Sequence, residues 1–121
     1  MPGNVVQTAP AEFKTRERCF IREYLNEPAT PGLSVARARV EPGVTTERHS
    51  LSVDEWYIIL SGEGRVFVGD DEPQRVGPDD VVRIPAGTAQ CIQNTGADDL
   101  VFQCVCRPRF TPDAYEALEG D

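Results

Sequence analysis

The sequence predicts an all-β domain, a sandwich or barrel of mainly antiparallel strands, and three observations predict it. Short runs rich in valine, isoleucine and aromatic residues alternate with clusters of glycine, proline and aspartate. These runs recur at close spacing, as they do in sandwiches and barrels. The connections are too short for the helical crossovers that parallel strands require. A chain of 121 residues, 40% of them hydrophobic, suits one domain around one modest core.

The elements follow in order. Residues 1–17 are polar and include Pro2, Gly3 and Pro10, so a flexible N-terminal segment is expected there. A first strand at 19–25 carries Phe20, Ile21, Tyr24 and Leu25, which need burial against the barrel or a neighbouring subunit. A second at 33–41 ends at Glu41-Pro42-Gly43, and further strands are expected at 48–51 and 55–60. Ser61-Gly62-Glu63-Gly64 reads as a hairpin turn into 64–68. Gly69-Asp70-Asp71-Glu72-Pro73, whose spacing matches no calcium loop, is a solvated turn before 74–76. Gly77-Pro78-Asp79 leads into 80–84, and Asn94-Thr95-Gly96 divides 89–94 from 100–107. The barrel domain spans 18–110. In 111–121, Thr111-Pro112-Asp113 carries the cap, proline and acid of a helix start, so a short helix through Leu118 and a tail are expected.

Charge and composition narrow the function. Twelve lysines and arginines stand against 20 acids, a net charge of -8, which disfavours nucleic acid and anionic membranes. No stretch approaches the roughly 20 apolar residues of a membrane span. Met1 to Ala11 has neither the basic end nor the apolar run of a secretory signal, so the cytoplasm is the expected location. The cysteines, Cys19, Cys91, Cys104 and Cys106, are expected as free thiols. Cys104 and Cys106 share a strand face and are poorly placed for a disulfide. They either pack in the core or face a cavity, where thiolates would favour a soft metal. His49 is the single histidine, so no site can draw several imidazoles from one chain.

Two segments carry a more specific pattern. The first runs Gly43, five residues, His49-x-Leu51, three residues, Glu55, six residues, Gly62. The second runs Asp79, five residues, Pro85-x-Gly87, two residues, Gln90, three residues, Asn94. Together they resemble the paired motifs of the cupin family. Those motifs place a second histidine where Leu51 stands, a glycine where Asp79 stands and a histidine where Gln90 stands. The resemblance covers roughly residues 33–107. It implies a double-stranded β-helix or jelly-roll barrel, frequently dimeric, here through sheet faces or N-terminal arms.

In a typical cupin, three histidines and one glutamate hold a divalent metal. Carried over by position, this sequence offers His49, Leu51, Glu55 and Gln90. Leu51 has no donor atom, and Gln90 offers a neutral carbonyl oxygen weaker than imidazole. The expected metal site is His49, Glu55 and Gln90, with Mn, Fe, Ni or Zn weakly bound or absent. By alternation, His49 and Leu51 share a face, as do Glu55 and Tyr57.

Two functions of different classes remain open. One is an enzyme acting on a small molecule inside the barrel, as an oxygenase, isomerase or lyase. His49 and Glu55 would then be metal ligands or an acid–base pair. Gln90 would be a third ligand or substrate orienter, and Tyr57 a proton donor or a wall. The other is a metal-free, non-catalytic ligand-binding or sensor protein. Leu51 and Gln90 would line the substrate pocket. Arg39, beside Arg37 on one strand face, either meets an anionic substrate group or pairs with surface acids. Trp56 alternates away from Glu55, toward a sheet or dimer contact.

Overall fold

In this computed structural model the described residues are 5–120. The first four positions of the expected flexible segment, and Asp121, lie outside them. The strands are β1 (Phe13–Lys14), β2 (Phe20–Leu25), β3 (Ser34–Val40), β4 (His49–Leu51), β5 (Asp54–Ser61), β6 (Gly64–Val68), β7 (Gln74–Val76), β8 (Val81–Ile84), β9 (Gln90–Asn94), β10 (Leu100–Arg107) and β11 (Tyr115–Ala117). One sheet has the order β1-β2-β3-β10-β5-β8, and the other β11-β4-β9-β6-β7. The paired strands run antiparallel. From β3 onward the chain passes repeatedly between the two sheets, which makes a jelly-roll barrel.

Alternation places the core between the sheets. On β5, Glu55, Tyr57 and Ile59 are buried, while Trp56 and Ile58 face outward. At one end of the barrel Val40, Ile59, Ile92 and Leu100 are fully buried against Val66 and Val76. That end is tied by Asn94, whose side chain donates to the carbonyls of Val40 and Asp98, each at 2.8 Å, and accepts from the Gly96 amide at 2.9 Å. Gly62 adopts φ +88°, and a Cβ there would lie 2.5 Å from the Asp99 carbonyl oxygen. Only glycine fits so close to that backbone. At the other end, the facing side chains are smaller. Ala36, Ala38 and the thiols of Cys104 and Cys106 leave volume unfilled between the sheets.

Both termini depart from expectation. Phe13 and Lys14, within the segment expected to be flexible, pair with Ile21 and Phe20. The C-terminal helix is a single 3-10 turn, Pro112–Ala114, and does not extend through Leu118. Tyr115–Ala117 instead pairs with β4, matching Tyr115 to Leu51 and Ala117 to His49. A helix this short is marginal alone, whereas the edge of β4 offers a ready backbone ladder.

Candidate functional site

A cavity of about 430 Å³ lies at the open end of the barrel. β5 contributes Glu55 and Tyr57, β4 contributes His49 and Leu51, and β10 contributes Cys104 and Cys106. The chain before β2 adds Glu17 and Cys19, and β11 adds Tyr115. His49 and Leu51 point inward together because they are two apart on one strand.

Glu55 and Gln90 meet across the two sheets. Gln90 Nε2 donates to Glu55 Oε1 at 2.9 Å. The Tyr57 hydroxyl donates to Gln90 Oε1. The Cys106 thiol points at Glu55 Oε2 from 3.7 Å. Burial dominates Glu55: it raises the carboxyl pKa from 4.5 to about 7, against the opposing hydrogen bonds from Gln90 and the thiols. Burial, with the nearby Glu55 charge, also pushes the Tyr57 hydroxyl well above its ordinary value.

His49 is held from three sides. Its Nδ1 lies 2.7 Å from the Glu47 carbonyl oxygen, and its ring stacks on Tyr115 with centroids 4.7 Å apart. Glu17 Oε2 is 3.8 Å from the same Nδ1. Burial raises the Glu17 carboxyl pKa, and the nearby imidazole opposes that shift. Tyr115 donates its hydroxyl to the Glu47 carboxylate, which also accepts from Arg16 at 2.9 Å. The Tyr115 and Arg16 hydrogen bonds hold Glu47 below the usual carboxylate range.

The structure therefore brings His49, Leu51, Glu55 and Tyr57 to one cavity, with Gln90 directly behind Glu55 and Tyr57. Arg39 is not among them. It lies on the outer face of the first sheet, bonded to Glu12 at 2.8 Å and Asp99 at 3.1 Å and stacked over Phe20. Alternation explains this, since the inward residues of β3 are Ala36 and Ala38. Arg37 also reaches Glu12, at 3.7 Å. Tyr57 is poorly suited as a proton donor to a ligand, because its proton is directed to Gln90. All four cysteines are free thiols, and burial with the Glu17 charge pushes Cys19 up to about 12. Sequence reasoning missed Glu17 and Tyr115. Glu17 sits between two arginines in a segment without periodicity, and Tyr115 looked helical, so neither carried a readable signal.

The donor set does not fit a resident divalent ion. Leu51 supplies no donor, and the Gln90 carbonyl is already occupied by Tyr57. Among the described residues, no three histidine, cysteine, aspartate or glutamate side chains are grouped to hold a metal. The remaining polar groups on the wall, His49, Glu55 and Glu17, are not grouped as a ligand set.

Comparison with known proteins agrees with the fold. A curated Myxococcus xanthus protein named endoribonuclease YbeY is 29% identical over 85 residues, which cover 70% of this chain and 29% of that protein. The structure of oxalate decarboxylase from Bacillus subtilis superposes with a TM-score of 0.79 at 22% identity, covering 97% of this chain and 33% of that one. DMSP lyase DddQ from Ruegeria pomeroyi gives 0.75 at 21% identity, covering 86% of this chain and 54% of that one. The chain thus spans about a third of the length of the first two. At these identities the structural likeness concerns the fold alone. The cupin domain family model matches residues 36–106, which include all of β4 to β9 and both motif segments, 43–62 and 79–94. This chain belongs to the cupin family.

Proposed function

We propose that this protein is a small-molecule enzyme of the isomerase or lyase kind, working by proton transfer inside the barrel with its own side chains. The observation that carries this reading is the Glu55 carboxyl: it lines a cavity large enough for a compact organic molecule and ionises at about 7. An acid poised there can take a proton from a bound molecule and return it at neutral pH. Gln90 fixes one carboxyl oxygen, and the other, met by the weakly donating Cys106 thiol at 3.7 Å, is the one offered to the reacting atom. His49, oriented by the Glu47 carbonyl, is the second proton-carrying group on the wall. Neighbours in the fold include a decarboxylase and a lyase, which is consistent with chemistry at a carbon adjacent to a polarising group. The net charge of -8 speaks against nucleic acid as the substrate.

The test is a fragment screen by NMR in deuterium oxide. Carbon acids that shift cavity resonances should acquire deuterium with wild-type protein and not with Glu55→Gln. Bound fragments that never exchange would favour the second reading, a non-catalytic binding protein. That reading draws support from Tyr57 and Tyr115, whose hydroxyls are both committed to protein partners. The same proposal places the protein in the cytoplasm as a homodimer joined by the outer sheet face, where Leu60 and Val81 are exposed. Among the described residues no helix is long and apolar enough to cross a membrane. A monomer at micromolar concentration in sedimentation would count against the dimer.

A further inference from the structure

We infer that the cavity selects a small organic cation bearing N–H donors, a primary ammonium or an amidinium, because its polar wall offers acceptors and few donors. This rests on the cavity being the small-molecule site. Its principal donors are directed at the protein itself. Tyr57 donates to Gln90, and Gln90 donates to Glu55. Tyr115 donates to Glu47. Thr15 and Thr46 donate to the carbonyls of Cys19 and Ile92, at 3.1 and 3.4 Å. Arg109, the one guanidinium on the wall, is the exception: a single N–H goes to Asn26, at 2.8 Å, and among the described residues its other guanidinium N–H groups make no hydrogen bond to the protein.

The acceptors are less completely used. Beyond Gln90, the Glu55 carboxylate meets only thiols, those of Cys106, 3.7 Å from Oε2, and Cys104. The 3.8 Å from Glu17 Oε2 to His49 is too long for a hydrogen bond. His49 supplies an independent pointer. Because the Glu47 carbonyl can only accept, Nδ1 carries the proton in the neutral ring, and Nε2 is left with a lone pair. His49 is 4% exposed, and Nε2 has no protein partner among the described residues. His49 lines the cavity, so this lone pair is open to a donor from a ligand there. One ammonium group can donate to a carboxylate and an imidazole together, and the rings of Tyr57 and Phe102 on the wall favour a cation. An anionic ligand would instead meet the two carboxylates of Glu17 and Glu55 against the single guanidinium of Arg109.

The experiment is a calorimetric titration of the full chain near pH 8 with four probes of one shape: benzylamine, benzamidine, benzyl alcohol and benzoate. The amine and amidine should bind at least tenfold more tightly than the alcohol, with benzoate weakest. Glu55→Gln and Glu17→Gln should each weaken benzylamine at least tenfold and leave benzyl alcohol within twofold. The wild-type ranking decides the matter even if a variant fails to fold. Alcohol binding as tight as amine, or benzoate binding tighter, overturns the cation inference while the small-molecule reading stands. If none of the four shifts a cavity resonance, both fall.

Discussion

Replacing Glu55 by glutamine should stabilise the protein in alkaline solution and leave it unchanged in acid. In the unfolded chain the carboxyl ionises near 4.5, and in the fold at about 7. Between these values the folded state holds a proton that the unfolded state has released, so stability falls as pH rises. Below the unfolded value both states are protonated and the effect vanishes. Across the interval the slope is about 1.4 kcal/mol per pH unit, so ionised Glu55 costs the fold roughly 3 kcal/mol at pH 8. Glutamine keeps the shape and the hydrogen bond to Gln90 without a charge to desolvate. Urea denaturation of both proteins from pH 4.5 to 8 measures the difference. The curves should coincide at the acid end, with the variant ahead by roughly 3 kcal/mol at the other. Glu17, raised in the same direction, should leave a residual slope in the variant. A wild-type profile that does not fall, or a variant less stable at pH 8, would refute the desolvation account.

Three further outcomes are expected. Leu51→His puts a second imidazole on the cavity face of β4, so zinc or nickel affinity by calorimetry should rise at least tenfold over wild type; no gain would mean that position 51 does not reach the site. Gly62→Ala should cost about 2–3 kcal/mol in urea denaturation, from strain at positive φ and a clash with the Asp99 and Leu100 backbone; a loss under about 0.5 kcal/mol would contradict the close approach. Arg39→Ala should cost no more than about 1 kcal/mol, because its ion pairs are partly solvated, and should leave probe binding unchanged; a loss of binding would mean that this face contributes to the site.

The positions of Gly43, His49, Glu55, Gly62, Pro85, Gly87 and Asn94 made the barrel legible before any coordinates. Turn glycines and prolines are local requirements, and alternation along a strand is local too, so both are written in consecutive residues. The shared face of His49 and Leu51, the inward side of Glu55 and the outward side of Trp56 follow from a period of two. The single histidine and Leu51 already showed that the family's metal set was incomplete.

Only the tertiary structure decided which groups meet. Gln90 looked like a ligand by position, but its two ends are bonded to Tyr57 and Glu55, on the opposite sheet. Glu17 and Tyr115 reach His49 from segments 32 residues before and 66 after it. The C-terminal segment became a strand because β4 had an unpaired edge, which no local propensity records. The raised pKa of Glu55 also belongs to the fold, since desolvation depends on how much protein surrounds a charge rather than on its neighbours in sequence.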